Sequence, residues 1–94
     1  MTLKNERTSF NATGKRKNSI ARVIMTPGNG AIAINKREFE DYFGRAALQM
    51  IVKQPFAVTG TEGKFDIKAI LNGGGIAGQA DALKYGIAKA LLNM

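Results

Sequence analysis

Residues 65–91 restrict this chain more than any other stretch. Phe65, Ile67, Ala69 and Leu71 alternate with Asp66, Lys68, Ile70 and Asn72, the period-two pattern of a strand with one buried face. Gly73-Gly74-Gly75 follows. Ile76, Ala80, Leu83, Ile87, Ala90 and Leu91 then recur at helical spacing, which predicts a helix to about Asn93. Three glycines between strand and helix leave backbone N–H groups bare at the helix N-terminus, an arrangement suited to an anion. The same residues satisfy G-x-G-x-x-G through Gly78. The acid that a dinucleotide site places ~20 residues further on is missing, as is the next strand, so no cofactor is expected. A tight turn that needs glycine for positive φ is the plainer account.

Upstream, Thr8 to Gly14 alternates weakly and reads as an edge strand, followed by the polar run Lys15-Arg16-Lys17-Asn18. Ile20 to Thr26 is apolar and β-branched, interrupted by Arg22, and reads as a strand. Pro27-Gly28-Asn29-Gly30 is a dense turn signal, and Ala31 to Asn35 alternates after it, so the two runs are expected to form a hairpin. Asn35 stands three residues before Glu38 and resembles a helix N-cap in a capping box. A short helix carrying Phe39, Tyr42 and Phe43 should stop at Gly44. A second helix, Arg45 to Lys53 with Ala46, Met50 and Lys53 on one stripe, should end at Gln54 because Pro55 disfavours helix before it. Strands, helices, a strand and a helix predict an α+β fold in a single domain spanning 1–94.

The charge is uneven. Residues 1–22 carry six Lys/Arg and one acid, residues 23–62 four of each, and residues 63–94 four bases and two acids, for a total of +7. A basic N-terminal segment, 1–22, on a small core points to a polyanion, most often nucleic acid. Lys15, Arg16, Lys17 and Arg22 could grip phosphates, the arginines through a bidentate fork; a merely solvated basic loop is the alternative.

Composition excludes most other classes. Without Cys or His, the chain has no thiol nucleophile, thiolate metal site or histidine base. Glu38, Glu40 and Asp41 are the only acidic cluster, and in the first turn of a helix they complement its dipole. No catalytic pairing is present, so an enzyme is not expected. Phe39, Tyr42, Phe43 and Phe65 fall on core stripes rather than on a base-stacking platform, while Phe10 and Tyr85 fit either role. The longest apolar run, Ala31 to Ile34, has four residues, too few to span a membrane. The polar start MTLKNERTSF lacks the apolar core of a secretory signal, which makes the cytoplasm the expected compartment.

Gly14-Lys15-Arg16-Lys17-Asn18-Ser19-Ile20-Ala21-Arg22-Val23, Pro27-Gly28-Asn29-Gly30, Asp41-Tyr42-Phe43-Gly44 and Gln54-Pro55 resemble consecutive blocks of the small-ribosomal-subunit protein nine family, bacterial type. The most specific block runs from Gly73 to Leu91 and resembles that family's signature of three glycines, a Gln, and small residues with bases along one helix. The resemblance implies an α+β fold like domain two of ribosomal protein S five, with a four-stranded mixed sheet, helices packed on it and a left-handed βαβ crossover. Chain chirality alone would favour the right-handed form. It also implies a structural, non-catalytic ribosome constituent that binds the 3′ domain of the small-subunit ribosomal RNA, beside neighbouring proteins of the subunit head. Lys15, Arg16, Lys17, Asn18 and Arg22 would bind RNA, Gly73, Gly74 and Gly75 would let its backbone approach, and Gln79, Lys84 and Lys89 would add contacts. Family members continue into a basic C-terminal tail that reaches transfer RNA in the peptidyl site; Met94 is the last residue here, so that contact has no residue in this sequence. A free-standing nucleic-acid-binding module is the alternative function.

Overall fold

The computed structural model describes residues 9–92, so Thr8, Asn93 and the first eight residues of the basic segment lie outside the described residues. The chain runs β1 (Phe10–Arg16), β2 (Ser19–Pro27), β3 (Ile32–Ile34), β4 (Arg37–Glu38), α1 (Phe39–Tyr42), α2 (Ala46–Thr59), β5 (Phe65–Asn72) and α3 (Ile76–Leu92). The α+β class and the mixed sheet agree with expectation. The sheet has five strands rather than four, in the order β1-β2-β5-β3-β4. β3 and β5 are parallel, and every other neighbouring pair is antiparallel.

Alternation puts one face of the sheet in the core. Ala21, Val23 and Met25 of β2 and Ile67, Ala69 and Leu71 of β5 are buried against α2 and α3. α2 contributes Leu48, Val52 and Phe56, while α3 contributes Ala80, Leu83, Ile87, Ala90 and Leu91. Phe39 and Phe43 are buried, and Tyr42 and Phe65 pack on the core half-buried. Phe10 joins them edge-on to Phe65, with ring centroids 6.5 Å apart. The opposite face of the sheet carries no helix among the described residues.

Five local expectations are corrected. β2 and β3 do run antiparallel, as hairpin arms would, but β5 is inserted between them. The Pro27–Ala31 connection is held open by Asp66 of β5. Its Oδ1 accepts the backbone N–H groups of Asn29 (2.9 Å), Gly30 (3.1 Å) and Ala31 (3.0 Å). The true tight hairpin is β1–β2, whose two-residue turn is Lys17-Asn18, with Lys17 at φ 54° as such turns demand. Asn35 is not a helix cap. With Lys36 it forms the β3–β4 turn, both residues at positive φ (51° and 67°), and this turn creates the fifth strand. Its side-chain amide bonds both the N–H and the C=O of Leu71 (2.9 and 3.2 Å), extending the β3–β5 ladder by one side chain.

α2 continues through Pro55 to Thr59. An internal proline removes one helical hydrogen bond and costs ~3 kcal/mol. Here Pro55 and Phe56 are both buried, and that apolar burial offsets the loss. The buried stripe is Leu48, Val52 and Phe56 rather than Ala46, Met50 and Lys53, and Met50 is 68% exposed. Ile76, expected on the core face of the last helix, is also exposed, at the first residue of that helix.

Three amide donors hold the Asp66 carboxyl below its ordinary value of 3.8, Ala31 and Asn29 first and Gly30 least, against a small opposing effect of burial. A lowered folded pKa contributes stability above the unfolded value and loses it as pH falls through the folded one. Melting temperature should therefore drop more steeply below about pH 4 in the parent than in Asp66→Asn. Parallel melting curves across that range would show that the carboxylate charge is unimportant to the loop.

Candidate nucleic-acid interface

Two turns that are far apart in sequence meet at one end of the sheet. The β1–β2 turn brings Lys15, Arg16, Lys17 and Asn18 to a solvent-exposed tip. The Asn72–Ile76 turn brings Gly73, Gly74 and Gly75 alongside it. Ser19, fully buried, ties the two by donating its hydroxyl to the Gly73 carbonyl at 3.1 Å. Gly75 accepts the N–H of Gln79 at 2.9 Å, opening the 17-residue α3 beside this tip. The result is an exposed basic turn next to a helix N-terminus, where N–H groups and the helix dipole favour an anion.

The three glycines have different reasons. Gly73 and Gly74 have φ of 77° and 63°, so the turn itself needs them. They are also crowded from within: a Cβ on Gly73 would lie 2.3 Å from the Asn18 carbonyl oxygen, and one on Gly74 would lie 2.1 Å from Ser19 Oγ. Gly75 is neither at left-handed φ nor within 4 Å of any atom its Cβ would meet. Gly74→Val should therefore destabilise the fold by ~1–3 kcal/mol from backbone strain alone. Gly75→Val should leave melting near that of the parent and instead obstruct an incoming backbone. If Gly75→Val keeps parental RNA affinity in a filter-binding titration, no backbone approaches at this point.

Gln79 is used inside the fold. Its Nε2 donates to the Gly73 carbonyl at 3.0 Å, and its Oε1 accepts the Tyr42 hydroxyl. Tyr42 in turn accepts from Asn35 Nδ2 at 3.4 Å. This chain fixes the glycine turn to α1 and to the β3–β4 turn. Sequence reasoning missed Ser19, Asn35 and Tyr42 as its supports; a small buried Ser directly after a basic turn was the only available hint.

The other expected residues are dispersed. Arg16 leans over α3, its Nε 3.8 Å from Asp81 Oδ2, an exposed pair that contributes little. Lys89 bonds the Thr13 carbonyl of β1 at 3.0 Å, two turns of helix beyond Asp81. Lys84 lies between α2 and α3 with its Nζ 5.1 Å from the Tyr85 ring centre, away from the tip. Arg22 projects from the open face of the sheet with Lys15. The structure thus gathers Arg16, Lys17 and Asn18 with Gly73 to Gly75, leaves Lys15 at the same tip but facing the open side of the sheet with Arg22, and does not gather Lys84, Lys89 or Arg22 with them.

Glu40 and Asp41 stand in the first turn of α1, and Glu38 occupies its N-cap position without a side-chain hydrogen bond to it. Among the described residues, no three potential metal ligands cluster, and no helix is long and apolar enough to cross a membrane.

Residues 14–94 match the family model described as ribosomal protein S9/S16. The small ribosomal subunit protein uS9 of Maridesulfovibrio salexigens is 54% identical to the chain over 83 residues, which are 88% of this chain and 64% of that protein. The chain thus spans 64% of the length of the curated relative it matches. The matched region takes in both turns of the basic tip, every strand from β2 onward and all three helices. On that extent of agreement, the chain belongs to the ribosomal protein S9/S16 family.

Proposed function

We propose that this chain is a structural, non-catalytic constituent of the small ribosomal subunit in the cytoplasm. It would bind the 3′ domain of the small-subunit ribosomal RNA in the subunit head, beside other head proteins. The observation that carries this reading is the basic tip Lys15 to Asn18, where Lys17 and Asn18 stand next to Gly75 at the start of α3. Exposed cations there can neutralise successive phosphates, and the open Gly75 leaves room for a backbone at the helix N-terminus. Lys89 and Arg16 extend positive charge along the β1 edge, and Gln79 supports the turn rather than reaching outward. No residue of the 94 is assigned to transfer RNA.

The crossover from β3 through α2 to β5 is left-handed on this reading. Ile67 and Ala69 turn their side chains into the same buried core that holds Leu48 and Val52 of α2. The same two residues direct backbone groups to β3: Ile67 N–H to the Ala31 carbonyl (2.8 Å), and the Ala69 carbonyl to Asn35 N–H (2.9 Å). An L-residue on an ascending strand, seen with its side chain toward the viewer, has both groups pointing right. β3 then lies to the right of β5 with α2 in front, so the chain moves leftward, the uncommon hand.

The test is sedimentation. A tagged copy of the chain expressed in a bacterial host should migrate with small subunits through a sucrose gradient at moderate salt. Recovery only at the top of the gradient would instead mark a free-standing RNA-binding module.

A further inference from the structure

The face of the sheet opposite the helices carries a built surface that the RNA reading touches only at Lys15. Ile20 and Ile24 of β2 and Ile70 of β5 are 40%, 43% and 53% exposed. In the register, Ile70 stands opposite Arg22, midway between Ile20 and Ile24, so the three form one zigzag strip along the centre of the sheet. Cations frame it. Lys15 is opposite Ile20, Arg22 opposite Ile70 and Lys68 opposite Ile24, and Lys36 lies across β3 from Lys68. The described acids on this side are Asp66, whose Oδ1 already accepts three loop amides, and Glu38 on the outermost strand.

We propose that this face docks an acidic, aliphatic segment of a neighbouring protein in the small subunit. Three β-branched aliphatic side chains gain by excluding water against another apolar surface. They offer no ring on which a base can stack, and the described aromatic residues lie in the helical layer or at its margins. A hydrated phosphate backbone laid over the strip would dehydrate without apolar compensation. A protein segment that alternates aliphatic and carboxylate side chains satisfies both parts at once, the isoleucines beneath it and Lys15, Arg22, Lys36 and Lys68 around it. Arg22 then serves this surface, which explains why it stands apart from the basic tip.

The proposal rests on residence in the small subunit, and the test separates the two. A photo-crosslinking benzoylphenylalanine is placed at exposed Ile24 in one copy and at Asn18 in another, and purified small subunits carrying each are irradiated. Asn18 is expected to crosslink to RNA. Ile24 is expected to crosslink to one subunit protein, within a peptide rich in Asp, Glu and aliphatic residues. That protein crosslink should be lost when Ile20→Ser and Ile70→Ser are combined, or when Arg22→Glu and Lys68→Glu are combined, while the Asn18 crosslink persists. An Ile24 crosslink to RNA, or none at all, overturns the proposal and leaves the RNA reading standing. An Ile24 crosslink to protein without an Asn18 crosslink to RNA does the reverse. A chain absent from subunits overturns both.

Discussion

Replacing Gly14 by Ala is expected to be the most destabilising single-methyl change in this domain. Gly14 lies on the core side of β1, opposite Ala21, where α3 crosses the strand. A Cβ there would stand 2.0 Å from the Ala82 carbonyl oxygen and 2.4 Å from the Gly86 nitrogen, both backbone atoms of a helix. Gly86 is the reciprocal contact: its own Cβ would meet Val23 Cγ2 at 2.7 Å. Strand and helix therefore touch backbone to backbone through two glycines. No side-chain rotation relieves a clash of that kind, so α3 must lift from the sheet. Lifting it loosens Leu83, Ile87 and Ala90, all fully buried. Overpacking of a core costs ~1–3 kcal/mol or more, against a total of ~5–15 kcal/mol for a typical domain. At about 3 kcal/mol the melting temperature should fall by roughly 12–24 °C for a domain of this size. Gly44→Ala is the matched control, since a Cβ there meets nothing within 4 Å. Circular-dichroism melts of the two variants decide the matter. A Gly14→Ala midpoint within a few degrees of the control would mean the strand–helix crossing is looser than these distances state.

That crossing shows where the sequence was readable. β5 matches its expected bounds, Phe65 to Asn72, because strict alternation marks a strand with one wet face. α3 followed for the same reason, at the helical period. Pairing was harder. The run from Pro27 to Gly30 is a turn, but whether its arms pair depends on a strand more than thirty residues later. The deciding residue, Asp66, looks in sequence like any polar position on a strand. Asn35 was ambiguous in kind: short polar side chains favour both helix caps and positive-φ turns, and only the neighbouring Leu71 backbone settles which. In α2 two apolar stripes share one helix, and tertiary packing chose Leu48, Val52 and Phe56.

The candidate site divides in the same way. Its residue types were visible as a basic run and a glycine run. Their adjacency was not, since it is created by Ser19 reaching Gly73 across 54 positions. The reasons for the glycines were also merged in sequence: positive φ accounts for Gly73 and Gly74, leaving Gly75 alone as the open position. Lys68 was legible only as one outward position of the β5 alternation and Lys36 not at all, because a lone lysine on a strand or turn has no binding pattern until a second strand is set beside it.

Simultaneous replacement of Lys15, Arg16 and Lys17 by Ala should have the largest effect on RNA affinity. All three side chains are exposed and none supports the core, so the variant should fold as the parent does. Arg16 loses only its 3.8 Å pair with Asp81, an interaction of small value at that exposure. If about five bases of the tip and β1 edge meet phosphates, log affinity should fall against log salt with a slope of about −3.5 to −4.5. Removing three should reduce that slope by about two to three units. Lines that meet near 1 M salt then differ by roughly two orders of magnitude or more at ~0.1 M. The slope is the stronger readout, because it counts released counterions and is blind to small losses of stability. Fluorescence titrations of a 3′-domain RNA fragment at four or five salt concentrations supply it. An unchanged slope would show that the basic turn is solvated and that phosphates are held elsewhere. A reduced slope together with weakened binding at 1 M would mean that these three side chains also make non-ionic contacts with the RNA.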